Sequence, residues 1–100
     1  ILDGLMRIYF QQAYYDKAAF YGEKRLAVAP KGRLAEAEII TGLAHLMNED
    51  VSKRDLVKGI KYLWPHRNAT PPNKLLLRYL YGALVEKKED AKAAEVRRLL

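Results

Sequence analysis

Residues 14–30, Tyr14-Tyr15-Asp16-Lys17-Ala18-Ala19-Phe20-Tyr21-Gly22-Glu23-Lys24-Arg25-Leu26-Ala27-Val28-Ala29-Pro30, decide how this chain is read. Asp16 suits a helix start, where its carboxylate complements the helix dipole. Ala18, Ala19, Gly22, Leu26 and Ala29 are small or apolar, and Phe20, Tyr21 and Val28 add bulk. Small residues let a second helix approach closely, so this face should meet a partner. Pro30 ends the helix and Lys31-Gly32 link it onward.

Outward from that helix the same pattern recurs. On the N-terminal side, Leu2, Leu5, Met6, Tyr9 and Phe10 fall at helical spacing, and Tyr14-Tyr15 make the turn. On the C-terminal side, residues 33–48 carry Leu34, Ala37, Ile40, Ala44 and Met47, widened by Ile39, Leu43 and Leu46. A helix apolar around so much of its circumference should be central. Ser52 then offers an N-cap, with Asp55 completing a capping-box-like pair, for a helix carrying Leu56, Val57, Ile60, Leu63 and Trp64 and stopped by Pro65.

Residues 65–73 are rich in breakers and read as an ordered loop. Thr70 or Asn73 caps a fifth helix over 74–88, apolar through Leu76, Leu77, Leu80, Tyr81, Leu84 and Val85. Glu89-Asp90 open a sixth with Ala91, Ala94, Val96, Leu99 and Leu100. No strand alternation competes, so the fold class is all-α, in a single domain of pairs at about 1–30, 33–64 and 72–100.

Composition bounds the task. The chain of 100 residues is 50% hydrophobic and 30% charged, with signs interspersed, which suits a packed core. Its formal charge of +6 leans towards the C-terminus, which favours acidic partners or nucleic acid. There is no cysteine, which removes disulfides and thiolate metal sites. No apolar run approaches the ~20 residues of a membrane helix. The expected setting is soluble, cytoplasmic or periplasmic. The ends, Ile1 and Arg97-Arg98-Leu99-Leu100, read as those of a fragment of a longer chain, with self-association through exposed terminal helices an option.

Three features carry a family resemblance. Leu2, Leu5, Met6 and Tyr9 stand at the W-x2-L-G-x2-Y spacing, with Leu2 for the Trp and Met6 for the Gly. Tyr15-Asp16-Lys17-Ala18, the aromatics after it, Leu26 and Pro30 follow as a second helix. Asp55 to Leu63 repeats that helix with Gly59 at the small position, and the third pair fits the pattern through Tyr81-Gly82 and Val85, then Asp90 and Ala94. Ala18 and Gly59 lie 41 positions apart and Gly59 and Ala94 35 apart, against a usual repeat of about 34. The chain thus resembles the tetratricopeptide repeat family, clearly in the first pair and loosely in the other two.

That resemblance implies three antiparallel helix pairs stacked as a right-handed superhelix, an α–α solenoid. It implies a protein–protein interaction module or scaffold, such as an assembly factor, that takes a peptide or helix of a partner in a concave groove. The groove would fall to outward polar positions of the first helices: Asp3, Arg7 and Gln11, then His45 and Asn48, then Tyr79, Glu86 and Lys87. These do not form a carboxylate clamp.

Catalytic patterns are weak. His45 and His66 are the only histidines and lack metal-ligand spacing. Glu36 and Glu38 are two apart on a helix and point different ways. Ser52 and Thr41 lack a base nearby, and no glycine-rich phosphate loop occurs. The expectation is no enzyme, no cofactor and no metal. Most of the seven tyrosines suit core packing, with one or two available to line a groove. The alternative function is a basic nucleic-acid-binding domain, through Lys53-Arg54, Lys58 and Lys61 and a second patch at Lys87-Lys88, Lys92 and Arg97-Arg98. An accessory helical domain of an enzyme is a third option.

Overall fold

The computed structural model describes residues 2–28, 35–68 and 71–100, and the side chains of Leu2 and Asp3 are not among those described. Among the described residues there are six α-helices and no strand: α1 (Leu2–Gln11), α2 (Tyr15–Ala27), α3 (Ala35–Met47), α4 (Leu56–Leu63), α5 (Lys74–Glu86) and α6 (Asp90–Leu99). The Pro30 stop, the Lys31-Gly32 link, Leu34 and Thr70 lie outside the described residues.

Local chemistry explains the helix ends. α2 starts at Tyr15, one residue before the expected Asp16. Asp16 instead sits in its first turn, with Lys24 and Arg25 in the last, the arrangement the dipole favours. α4 is capped by Asp55, whose carboxylate accepts from the Lys58 N–H at 3.0 Å. The expected Ser52 cap is not formed. Asp50 takes the Ser52 hydroxyl at 2.6 Å and the Ser52 N–H at 3.0 Å, which closes a 3-10 turn over Val51–Lys53. Those two bonds from Ser52 hold the Asp50 carboxyl below its usual range. The nearer aspartate out-competes the helix end because its ring of atoms is short. Leu63 ends α4 and a 3-10 turn, Trp64–His66, follows with Pro65 inside it, where the missing N–H costs nothing. Asn73 caps α5 through the Leu76 N–H at 3.1 Å.

The outer hairpins close identically. Ala13 donates to the Phe10 carbonyl and Tyr14 to the Tyr9 carbonyl; Lys88 donates to Val85 and Glu89 to Leu84. Ala13 and Lys88 both take left-handed backbone, at φ 62° and 58°. This is the paired 6→1 and 5→2 bonding of a Schellman helix end, made here without glycine.

Each helix packs on its chain neighbours, and α3 also touches α1 and α5. The expected centrality of α3 follows, and its buried residues are Ala37, Thr41, Gly42, Leu43, Ala44 and Leu46. The main core joins Leu43 and Leu46 of α3, Ile60 and Leu63 of α4, Leu76, Leu77, Leu80, Ala83 and Leu84 of α5, and Ala93 and Val96 of α6. A smaller cluster, Ala18, Ala19 and Ala44 with Tyr9, Phe10 and Tyr15, holds α1 and α2 to α3.

Close approach sets the spacing. A Cβ on Gly22 would lie 2.0 Å from Thr41 Oγ1, and one on Gly59 would lie 2.4 Å from a Leu46 methyl. The small face read at Ala18 and Gly22 is therefore where α3 arrives. Other readings change. Phe20, Val28, Val57 and Val85 are exposed rather than packed, and the buried small residue of α6 is Ala93, with Ala94 facing outward. The α2, α4 and α6 small positions are thus Ala18, Gly59 and Ala93, each the fourth residue of its helix, and Gly59 to Ala93 is 34 positions.

Candidate functional site

A cavity of about 350 Å³ opens where the C-terminal half of α5 passes the end of α3 and the start of α4. Leu46, Leu56 and Ala83 supply apolar wall, and Arg54, Arg78, Tyr79 and Glu86 supply the polar groups. Helical spacing explains the α5 contribution: Arg78, Gly82 and Glu86 are four apart and share one face. Nothing lies within 4 Å of a Cβ placed on Gly82, so its absence widens the opening. Arg54 is aimed by the turn before α4, where its Nε donates to the Asn48 carbonyl at 2.5 Å.

The expected binding residues divide among four places. Tyr79 and Glu86 meet in this cavity, and Asn48 stands behind Arg54. Asn48 itself accepts from the Asp50 N–H through its side chain. Arg7 and Gln11 are exposed on α1, and Arg7 pairs with Glu36 across the α1–α3 junction, its second nitrogen at 2.8 Å. The side chain of Asp3 lies outside those described. Lys87 lines a separate groove.

His45 is largely buried and faces sideways. Its Nε2 is 2.9 Å from Glu23 Oε1, and its ring stacks on Tyr62 with centroids 6.3 Å apart. Tyr62 donates to the other Glu23 oxygen at 2.8 Å. Partial burial by itself would raise the Glu23 carboxyl. The hydrogen bonds from His45 and Tyr62, with the Lys58 charge, outweigh it and hold the carboxyl below its ordinary range. The same arrangement, desolvation first and the Glu23 bond second, pushes the Tyr62 hydroxyl up to about 12. This cluster ties α2, α3 and α4 together through one ionised acceptor. A second histidine repeats the device, with His66 Nε2 3.1 Å from Glu38 Oε1.

Two further grooves lie beside α2 and between α4 and α6. One, about 450 Å³, is lined by Asp16, Ala19, Phe20, Glu23, His45 and Lys53. The other, about 350 Å³, is lined by Val57, Ile60, Lys61, Lys87, Glu89 and Lys92. Asp16, Ala19 and Phe20 stand 41 positions before Val57, Ile60 and Lys61, and Lys53 stands 34 before Lys87. The two grooves differ in charge, with Asp16 and Glu23 beside Lys53 in one and Lys61, Lys87 and Lys92 beside Glu89 in the other.

Sequence reasoning missed Arg54, Arg78 and Leu56 as cavity walls. Arg78 could have been found, since it shares a stripe with Glu86. Arg54 could not, because a turn aims it. Glu23, in the opening stretch, gave no sign that it would accept from two other helices. Among the described residues, no group of three or more His, Cys, Asp or Glu could hold a metal ion, and no helix is long and apolar enough to cross a membrane. No protein-family model, curated protein or solved structure matches the chain.

Proposed function

We propose that this chain is a stack of three tetratricopeptide-like helix pairs that binds a segment of another protein on the face built by its first helices, α1, α3 and α5. Three features support the stacking. The first helices touch one another in the order α1–α3–α5. The outer turns share one hydrogen-bond pattern. The small positions of the second helices recur at Ala18, Gly59 and Ala93. A helix pair cannot bury both faces alone, and stacking supplies the missing neighbour.

The observation that carries the binding reading is the cavity that joins Tyr79 and Glu86 to Arg54 and Arg78 above Leu46 and Leu56. Its size suits one side chain of a bound helix or extended peptide. An apolar or aromatic anchor would sit against Leu46, Leu56 and Tyr79, with the arginines engaging carbonyls or a carboxylate of the same segment.

The test is affinity capture with the protein and with Arg78→Glu and Glu86→Lys, both exposed positions that tolerate the change. A photo-crosslinker at residue 82 identifies which captured protein lies in the cavity. The expected result is a crosslinked partner whose capture falls about tenfold or more on Arg78→Glu. Unchanged capture with both substitutions, or a crosslink to nothing, rejects the assignment.

A further inference from the structure

The groove between α4 and α6 shares no residue with the cavity just described, and its chemistry is different. Its floor is Val57 and Ile60, adjacent turns of one α4 face. Val57 is 61% exposed and Ile60 beside it is largely buried. Around that floor stand Lys61 from α4, Lys87 from the end of α5 and Lys92 from α6. The one acid among the lining residues, Glu89, lies 3.7 Å from Lys92 as an i,i+3 pair. Three cations therefore line the groove against one carboxylate.

Two lysine patches that are 26 or more positions apart in sequence, at Lys61 and at Lys87–Lys92, meet here only because α6 folds back beside α4. The groove beside α2 carries Asp16 and Glu23 with Lys53. The excess of positive charge is therefore a property of this one groove. It discriminates between partners, because an acidic segment that suits one groove is repelled by the other.

We infer that the α4–α6 groove docks an acidic amphipathic helix of a protein partner, with an apolar side chain on Val57 and Ile60 and carboxylates against Lys61, Lys87 and Lys92. The surroundings favour such a helix over single-stranded nucleic acid, which needs open aromatic faces for stacking. The lining holds no aromatic ring. The nearby rings already carry the chain's own cations: the Arg67 guanidinium is 3.8 Å from the Trp64 centroid, the Lys92 ammonium 5.3 Å from it, and Lys61 is 5.7 Å from that of Tyr62.

Trp64 makes the inference measurable. It is the single tryptophan of the chain, and a ligand that takes the Lys92 ammonium draws it off the indole. The whole chain is titrated with a synthetic amphipathic helix carrying leucine on one face and glutamate on its flanks, and with the same helix carrying lysine in place of glutamate. The expected result is a saturable change in Trp64 emission with the glutamate helix alone, weakening as salt rises. Lys61→Glu, Lys87→Glu and Lys92→Glu combined should weaken binding at least about tenfold. Val57→Asp, at an exposed position, should do the same, and far-UV helicity shows that each variant is folded. Arg78→Glu should leave the titration unchanged, which separates this groove from the α5 cavity.

Equal binding by the lysine variant and the parent overturns the inference. So does loss of binding on Arg78→Glu alone, or displacement of the helix by a single-stranded oligonucleotide.

Discussion

The first and last hairpins, α1–α2 and α5–α6, make the same turn from unrelated sequences and then pack by different means. Around the turns stand Gln11-Gln12-Ala13-Tyr14-Tyr15 in one and Glu86-Lys87-Lys88-Glu89-Asp90 in the other, 75 positions apart. Both place a non-glycine residue in left-handed backbone and satisfy the last carbonyls with the same two N–H groups. Beyond the turn they diverge. The last hairpin buries Leu76, Leu77, Leu80, Leu84 and Val96. The first buries Met6, Ala18, Ala19 and Gly22 and relies on rings, with Tyr9 stacked on Tyr21 at 5.6 Å and Phe10 edge-on to Tyr15. The difference teaches that backbone closure carries the shared geometry of these two turns. The side chains that fill it are free to be leucine or alanine-plus-aromatic, provided the separation between helices matches.

The sharpest way to break this comparison is to truncate equivalent leucines. Leu80 is fully buried, and Leu80→Ala should cost about 3–5 kcal/mol. Leu5 stands 75 positions earlier and is half-buried, so Leu5→Ala should cost roughly half as much. Urea unfolding followed by circular dichroism measures both. Equal losses would show that the two hairpins rest on the same kind of packing after all.

Glycines give the next effect. Gly22→Ala drives a methyl into Thr41 and should destabilise by about 1–3 kcal/mol despite alanine's better helix propensity. Thr41→Ala in the same chain removes the clashing Oγ1 and should recover part of that loss. Gly82→Ala meets open space in the last hairpin and should stabilise by about 0.5–1 kcal/mol. The same thermal melts read both signs.

The polar tie that fastens the first hairpin to its neighbours comes third. Tyr62→Phe leaves Glu23 with one donor fewer and should cost about 1–2 kcal/mol. Because the folded Glu23 carboxyl lies below its ordinary 4.5, its contribution is complete above that pH and drains away as the pH falls through 4.5 and below. Glu23→Gln should flatten the loss of stability seen on acidification over that window. Tyr62 works in the opposite sense: its raised value stabilises the fold up to about pH 10, and the benefit disappears as the pH climbs towards 12. An acid limb identical in parent and Glu23→Gln would remove the carboxylate from the account.

Effects as small as that of Gly82→Ala belong to the feature the two hairpins share. Ala13→Gly and Lys88→Gly relieve left-handed strain and should each stabilise by about 0.5–1 kcal/mol. A gain at one turn and a loss at the other would mean that the closures are not equivalent.

Much of this architecture is legible in the amino-acid sequence. The run Ala18, Ala19, Gly22 announces a close-packed helix face, because nothing but small residues permits the approach that Thr41 makes. The broad apolar girth of α3 announces a central helix. Asn73 could be named among two caps, since a side-chain acceptor before a helix start has few other uses. Three readings failed for one reason: competition between near-equivalent neighbours. Ser52 yields the α4 cap to Asp55 while its own hydroxyl goes to Asp50, Ala94 yields the buried position to Ala93, and Val57 lies on the outer side of α4 rather than in the core. Helical periodicity allows both members of an adjacent pair, and packing chooses.

The candidate site was legible only in fragments. Tyr79 and Glu86 share a face of α5 that periodicity reveals, whereas Arg54 reaches them from a turn and His45 turns away to Glu23. By itself the sequence determined the type and order of the helices and most of the faces they bury, because those depend on residues within a few turns of each other. Only the tertiary structure decided which polar groups converge: Arg54 with Arg78 and Glu86, Glu23 with His45 and Tyr62, Lys61 with Lys87 and Lys92. Each of those meetings joins residues more than 20 positions apart, and their direction is set by helix crossings that no local pattern encodes.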